Sequence, residues 1–381
     1  MRALGVIPGI VASILAISVA HAADDFVPET LTVEKSIKPG TNLLVLDQNW
    51  KGPSRINVLS ADDLSSKGIF STGVVSQLTL SKDRKTAYTT SAYLKRIMYG
   101  PTEAVLQEFD VATLTPKREI VISSKMAQVA PYTSQLRLTA DEHYALVQNA
   151  TPATSITVVD LVAGKPIAEI PTPGCWGIYP APQGEKFATL CGDGTAATFE
   201  FKPSGEFSAP ARSEKFFDTD SDPVYVHAER VGEDLLFTSF NGNLYRLSDA
   251  GPALKLKDKL AVTAGVPGHW APGGFEISAY NAAHDVLFLA MHPDAEEGSH
   301  KEPAKEVWAI DLKSKKLLAR SPVEKSIAIA VTGGAQPLLF GMSEDGTVTR
   351  YVVDPQGKFA AKLAGKVEKV GEFTLMGLTS E

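Results

Sequence analysis

Two short hydrophobic patterns alternate along the chain, and both have the spacing of β-strands. The first is a turn followed by an apolar, β-branched or aromatic run. Its seven copies start at Lys38, Ser81, Thr139, Pro182, Gly232, Ala283 and Gly334. The second is a strand that runs into a turn, and its seven copies start at Arg55, Leu106, Ile156, Ala197, Asn243, Val307 and Thr347. Each second pattern follows a first, so the chain repeats one unit seven times.

The repeat period, about 40–65 residues, is typical of a β-propeller blade of four antiparallel strands. One blade cannot bury both of its faces, so blades stack around an axis and the ring closes when its ends share a sheet. The tail Val367–Leu375 is apolar enough to be the closing strand. The sequence predicts an all-β protein in which residues 23–381 form a single seven-bladed β-propeller domain. A two-sheet sandwich would need two or three domains, and no linker separates them.

The N-terminus has the features of a secretory signal. Arg2 supplies a positive charge, Leu4–Ala20 is apolar, and Ala20-His21-Ala22 is a small-x-small cleavage site. We interpret residues 1–22 as a signal peptide that is removed in the mature chain. The alternative is a membrane anchor, but the segment is near the lower length limit for a span, and no stop-transfer pattern follows.

Export to an oxidising space favours a disulfide between Cys175 and Cys191, the two cysteines of the chain. Their spacing is not C-x-x-C and there is no third sulfur, which argues against a redox or metal role. The full chain has a net charge of −7, and loss of Arg2 with the signal leaves −8. This charge argues against nucleic acid and anionic membranes as partners.

Motifs for catalysis are absent from the sequence. No His/Asp/Glu set has metal-ligand spacing, so we predict no metal site. A G-x-S-x-G elbow, a Walker loop and a dinucleotide fingerprint are also missing. We therefore assign no catalytic residue to this chain.

An insertion of roughly 15–20 residues lengthens the sixth repeat, between Tyr245 and Trp308. Loops on a rigid scaffold are common sites of partner and ligand contact. The alternative is that the insertion is a long solvent-exposed loop that contacts no partner. Our candidates for partner contact are Trp270, Pro272, Gly273, Gly274, His292, Asp294, His300 and Lys301.

Four blocks of sequence resemble the heavy chain of the quinoprotein amine dehydrogenases. They are similar to the aromatic (aralkylamine) branch more than to the methylamine branch. The likeness extends over almost the whole mature chain, in the same order. The blocks are Val147–Asp160, residues 174–194, Trp270–Gly274, and Met291–Lys301 together with Glu306–Asp311.

This resemblance implies a periplasmic seven-bladed propeller that is the non-catalytic heavy subunit of an α2β2 enzyme. A small cysteine-rich light subunit would carry tryptophan tryptophylquinone, made from two of its own tryptophans, and this chain would bind no cofactor covalently. The enzyme would oxidise a primary amine to an aldehyde and ammonia, and pass electrons to a small blue copper protein of the azurin or amicyanin type. The quinone supplies the difficult chemistry, and the protein supplies orientation and exclusion of water.

One position departs from the family pattern. Both branches place a phenylalanine that narrows the substrate channel in the segment that corresponds to Ser71–Ser81, and the matching residue here is Val74. The resemblance implies that Val74 lines the channel but gates it less, which weakens the transfer of an arylalkylamine preference. Two other classes stay open. One is a stand-alone periplasmic propeller that binds ligands or proteins, and the other is a propeller lactonase. The lactonase would need acidic or histidine residues converging on the axis, and the sequence identifies no such ring.

Overall fold

The structure is a computed structural model that describes residues 33–96 and 99–381. The predicted signal peptide, residues 1–22, lies outside the described residues. Ser36–Glu381 form one unit of dense internal contacts. Within it, seven antiparallel sheets are arranged as the blades of a β-propeller, which confirms the predicted fold class.

The first four blades follow one another along the chain. Blade 1 contains β1 (Asn42–Asp47), β2 (Arg55–Ser60) and β3 (Ser66–Ser71). Blade 2 contains β4 (Val74–Leu80), β5 (Thr86–Arg96), β6 (Tyr99–Asp110) and β7 (Pro116–Ile122). Blade 3 contains β8 (Leu136–Leu138), β9 (Tyr144–Asn149), β10 (Ser155–Asp160) and β11 (Lys165–Pro171). Blade 4 contains β12 (Cys175–Pro180), β13 (Lys186–Cys191), β14 (Ala196–Glu200) and β15 (Ala211–Arg212).

The last three blades complete the ring. Blade 5 contains β16 (Val224–Val231), β17 (Asp234–Ser239), β18 (Asn243–Ser248) and β19 (Lys255–Ala261). Blade 6 contains β20 (Ala271–Pro272), β21 (Ser278–Asn281), β22 (Val286–His292), β23 (Ala304–Asp311) and β24 (Lys316–Ser326). Blade 7 contains β25 (Ala328–Val331), β26 (Leu338–Met342), β27 (Val348–Asp354) and β28 (Ala360–Val367), and β29 (Thr374–Thr379) returns to blade 1. Single 3-10 turns lie at Thr133–Gln135 and Ser299–Lys301.

The first strand of each blade lines the axis, because these strands contact one another in succession around the ring. They are β4, β8, β12, β16, β21, β25 and β29. The seven turn-plus-strand patterns of the sequence are the second strands, and the other seven patterns are the third strands. Second strands such as β1, β9 and β17 are buried at every position, since neighbouring blades cover both of their faces. This complete burial explains why their apolar pattern is so regular.

The closing strand differs from the sequence prediction. Val367 ends β28, and the strand that pairs with β1 begins only at Thr374. The intervening turn is held by Asp47, whose carboxylate accepts the backbone N–H groups of Glu372 at 2.8 Å and Phe373 at 3.0 Å. The predicted bounds Val367–Leu375 were therefore wrong by several residues, because a side chain from blade 1 sets the start of the strand.

Blade 4 contains the predicted disulfide. Cys175 on β12 and Cys191 on β13 face each other in register and are bonded, and both are buried. The bond joins neighbouring strands of one sheet, so it is a staple within a blade, as the sequence indicated.

Candidate functional site

The two ends of the ring are built from different connections. In every blade the first strand begins, the second ends and the third begins at one end, which we call the upper face. The turns between first and second strands form the opposite end, the lower face. Val74 opens β4, Ala271–Pro272 is β20, and His292 closes β22, so all of them lie at the upper face. The disulfide lies at the same face, since Cys175 opens β12 and Cys191 closes β13.

The upper end of blade 6 brings most of the predicted contact residues together. Gly274 N donates to His300 O at 3.0 Å, and the Tyr225 hydroxyl donates to Pro272 O at 2.6 Å. Gly274 has a φ of +121°, and a Cβ there would lie 2.3 Å from Ile327 O. The glycine is thus required by both conformation and space. We call the segments Trp270–Gly274 and His292–Lys301 together the platform. It is held in place by these contacts, and Pro272, Gly273 and Gly274 are buried in it.

The predicted residues of this platform divide into supports and exposed groups. His292 is 3% exposed, with Nδ1 2.9 Å from Pro293 O and Nε2 3.5 Å from Ser299 Oγ. Asp294, His300 and Lys301 are exposed. His300 also lines a surface cavity of about 580 Å³ together with Tyr225 of blade 5. The exposed groups are therefore the ones that a partner could reach directly.

Trp270 is half-buried in a stack of charged and aromatic groups. Its ring centroid is 5.6 Å from that of Trp308, and the Arg320 guanidinium lies 4.5 Å from the first ring and 5.0 Å from the second. Glu306 accepts from Trp308 Nε1 at 2.8 Å and from Arg320 Nε at 2.7 Å. The stack fixes β20 against the rest of blade 6.

Val74 lies on blade 2, separated from the blade 6 platform by the first strands of blades 3, 4 and 5. It is half-buried, pairs with Ala92, and belongs to a bulge in which Val75 has a φ of +53°. Val75 N donates to Asn49 O at 3.0 Å, which ties the bulge to a loop of blade 1. A positive φ is rare for a β-branched residue, so neighbouring structure holds this bulge in place.

Exposed aromatic side chains, which the sequence analysis did not select, flank this region. Trp50, next to Asn49, is 49% exposed. The hairpin of β5 and β6 extends beyond the neighbouring blades at the upper face, and carries Tyr93 and Tyr99, the latter 72% exposed. Large exposed aromatics near one face are enriched at protein interfaces. In the sequence these residues cannot be told from core aromatics. Only the fold shows that they lie at the same face.

An apolar cluster lies near the upper ends of the axis-lining strands. Phe275, Ile327 and Leu375 are buried there, and Tyr132 and Phe373 pack against them. These residues come from blades 1, 3, 6 and 7. The cluster lies nearer the upper face than the polar groups that follow it deeper in the axis.

Those polar groups are His227, Glu229 and Glu276, which we call the axial cluster. His227 Nδ1 lies 2.5 Å from Glu276 Oε2, and His227 Nε2 lies 3.0 Å from Glu229 Oε1. Thr133 donates to Glu276 through its N–H at 2.8 Å and its hydroxyl at 2.9 Å, and Ser278 donates to Glu229 at 3.1 Å. His227 and Glu276 are 6% and 3% exposed.

The two carboxylates keep His227 protonated. Burial alone lowers the pKa of the imidazole, but Glu276 and Glu229 outweigh it and raise the pKa to about 10. Both ring nitrogens are then donors and both are engaged, so His227 cannot act as a general base in this arrangement. From the sequence we identified no ring of acidic or histidine residues at the axis, and the structure corrects this. The available signal was the His-x-Glu pair at alternate positions of β16, which places both side chains on one face.

Metal ligation finds no support in residues 33–96 and 99–381. No group of three or more His, Cys, Asp or Glu side chains there could hold a metal ion. In the same part of the chain, no helix has the length and apolarity needed to cross a membrane.

Comparison with known proteins identifies related sequences. Residues 52–381 match the family model described as methylamine dehydrogenase heavy chain. The methylamine dehydrogenase heavy chain of Methylobacillus flagellatus is 24% identical over 319 residues, which cover 82% of this chain and 78% of that protein. The corresponding protein of Methylophilus methylotrophus is 23% identical over 363 residues, which cover 90% and 88%.

Solved structures share the fold at lower identity. The periplasmic gluconolactonase of Pseudomonas aeruginosa has a TM-score of 0.61 and 16% identity, and the match covers 88% of this chain and 97% of that one. A putative 6-phosphogluconolactonase of Bacteroides fragilis has a TM-score of 0.61 and 13% identity, with coverage of 92% and 99%. At such identities the likeness concerns the fold alone.

Proposed function

Because this chain belongs to the methylamine dehydrogenase heavy chain family, we propose that it is the heavy subunit of a periplasmic quinoprotein amine dehydrogenase and has no catalytic residue of its own. The enzyme oxidises a primary amine to an aldehyde and ammonia. The family match over residues 52–381 carries this proposal. The partner is a small cysteine-rich light subunit in an α2β2 assembly, and the electron acceptor is a small blue copper protein.

The upper face is the proposed docking site for the light subunit. Two features favour it over the lower face: the rigid platform of blade 6, and the exposed aromatic side chains of Trp50, Tyr93 and Tyr99. The platform presents His300, Lys301 and Asp294. In this arrangement Val74 lies at the upper end of an axis-lining strand, where it would line the entrance for the amine.

Tryptophan tryptophylquinone would supply the electron sink for amine oxidation, and the tryptophans of this chain do not fit that group. Trp270 and Trp308 are neighbours, but Trp308 is fully buried and its Nε1 is bonded to Glu306. Arg320 covers both rings. An amine could not reach Trp308, which supports a quinone on the light subunit. The contribution of this chain is to hold the light subunit and to limit access of water.

Native purification tests the proposal. The protein should be purified from the periplasmic fraction as a complex with a small second subunit. The complex should show visible quinone absorbance, and it should reduce a blue copper protein when a primary amine is added. N-terminal sequencing should begin at Ala23, the residue after the predicted cleavage site. A colourless single-chain protein would contradict the proposal and favour a stand-alone binding propeller.

The preferred amine needs a separate experiment. The aralkylamine branch predicted from the sequence blocks is tested by comparing kcat/KM for methylamine and 2-phenylethylamine on the purified complex. A higher value for 2-phenylethylamine is expected for the aromatic branch, and a higher value for methylamine would contradict that prediction.

A further inference from the structure

The lower face contains an open cavity of about 290 Å³ on the axis of the ring. It is surrounded by the far ends of the first strands, such as Val331 in β25 and Thr379 in β29, and by Arg84 in the turn after β4. The axial cluster of His227, Glu229 and Glu276 forms its inner wall. Tyr280 and Arg230, near the lower ends of β21 and β16, also line it, so the cavity lies toward the lower face.

Three arginines line this cavity, and they differ in how they are held. Arg230 is fixed, since its guanidinium donates to Glu233 O at 3.0 Å, to Asp249 Oδ2 at 3.1 Å and to Pro180 O. Arg137 on β8 and Arg84 have no side-chain hydrogen bond or ion pair with any residue that the structure describes. Their guanidinium donors are therefore available to a bound group.

The cavity places these cations in an unfavourable setting. Burial lowers the pKa of Arg137, and the nearby charge of Arg230 lowers it further. Burial likewise lowers the pKa of Arg84. Arg137 is repelled by Arg230 in a partly buried space, so an anion beside Arg137 would stabilise its charge.

The charges of the lining give the cavity the opposite sign to the protein. Asp249 offsets the charge of Arg230, so Arg84, Arg137 and protonated His227 remain against Glu229 and Glu276, a small excess of positive charge. The whole chain has a net charge of −7. A local excess of positive charge inside an acidic protein concentrates small anions at that point.

We propose that this lower cavity is a binding site for a small carboxylate or phosphate compound, held by the Arg137 guanidinium at its side and by Arg84 at its mouth. A guanidinium presents a planar fork that matches the two oxygens of either group. The volume suits a compound of about ten non-hydrogen atoms. Thr133 and Ser278 lie in the lining but are engaged by the axial cluster, so the arginines provide the recognition.

This site is independent of the proposed function, because it lies on the opposite end of the ring from the proposed docking face. The assembled complex, or the full mature chain, can therefore be used for the test. Isothermal titration calorimetry with inorganic phosphate and with succinate, at constant ionic strength set by chloride, measures binding directly.

We expect saturable binding of at least one probe, with one site per heavy chain. Arg137→Gln should weaken it roughly tenfold or more, the range expected for loss of a charge-assisted hydrogen bond. Arg212→Gln, an exposed arginine on blade 4, is the matched control and should bind like the wild type. Arg84→Gln, in a surface turn, provides a second test if Arg137→Gln does not fold, and should weaken binding about threefold or more.

Phosphate binding alone would identify a phosphorylated ligand, and succinate binding alone would identify a carboxylate ligand. Absence of saturable binding of both probes up to about 50 mM would overturn the proposal. Equal binding by the wild type and both cavity variants would overturn it as well, since the anion would then bind elsewhere.

Discussion

His227 and Glu276 form an ion pair at the centre of the ring, with 2.5 Å between Nδ1 and Oε2. The two residues belong to blades 5 and 6, and Thr133 of blade 3 donates to the same carboxylate. The pair thus joins three blades at the axis. Together with the packing of Tyr132 against Phe275, this contact connects blades that are not neighbours in the ring.

The protonation of His227 should make stability depend on pH. An unfolded histidine has a pKa near 6.5, and in the folded chain the pKa is about 10. Protonation therefore stabilises the fold fully below about pH 6.5, and this contribution is lost as the pH rises toward 10. Urea unfolding of the wild type between pH 6.5 and pH 10 should show a steady decrease in the free energy of unfolding.

His227→Gln should remove most of that pH dependence. At pH 6.5 the variant should be less stable by about 3–5 kcal/mol, because it leaves two buried carboxylates without their cation. The difference in free energy of unfolding between the wild type and His227→Gln should become smaller toward pH 10. His143→Gln is the control, since His143 is exposed and pairs only with Asp141 at the surface. A constant difference between wild type and His227→Gln at all pH values would contradict this prediction.

The disulfide should contribute to stability without a redox role. Cys175 and Cys191 are 16 positions apart. In the chain-entropy model a loop of that length gives about 3 kcal/mol. The double variant Cys175→Ser/Cys191→Ser should lose about that much free energy of unfolding and keep its far-UV circular dichroism spectrum.

Amine turnover by the assembled enzyme provides the second measurement for the disulfide variant. Once the variant is assembled with the light subunit, kcat should equal that of the wild type at a temperature where both are folded. A large decrease in kcat with an intact complex would show that the cysteines take part in the reaction.

Arg320 should stabilise blade 6 through both of its neighbouring indoles. Arg320→Ala removes the contacts with Trp270 and Trp308 and leaves Glu306 without its cation. We expect a loss of about 1–3 kcal/mol, measured by urea unfolding, and a changed tryptophan fluorescence. Arg320→Lys keeps the charge but not the planar stack. Its free energy of unfolding should therefore lie between those of the wild type and Arg320→Ala. Arg212→Ala, an exposed arginine with one surface ion pair, should change stability by less than about 0.5 kcal/mol.

Val74→Phe tests the proposed substrate channel. A larger side chain in this position should narrow the entrance and change the ratio of kcat/KM between small and bulky primary amines in the assembled enzyme. Val121→Phe, on the exposed side of β7, is the matched control and should leave the ratio unchanged. If Val74→Phe alters kcat/KM for no amine, Val74 does not line the channel.

The regular parts of the fold could be predicted because their cause is local. β9 and β17 are covered on both faces by neighbouring blades, so each carries a continuous apolar run that is visible in the sequence. The disulfide could be predicted because two cysteines allow a single pairing. The inner strands were less visible: β8 has three residues, and β16 includes the charged residues of the axis.

The sequence by itself determined the number of blades, the second and third strand of each, the staple in blade 4 and the family resemblance, since each depends on residues that are close together in the chain. Only the tertiary structure decided which residues meet at the axis. His227, Glu276, Thr133 and Arg137 come from blades 3, 5 and 6, which are far apart in the chain. Ring closure places them within a few ångströms, where burial and opposite charge set their protonation. Such long-range pairing leaves no periodic pattern in a single sequence.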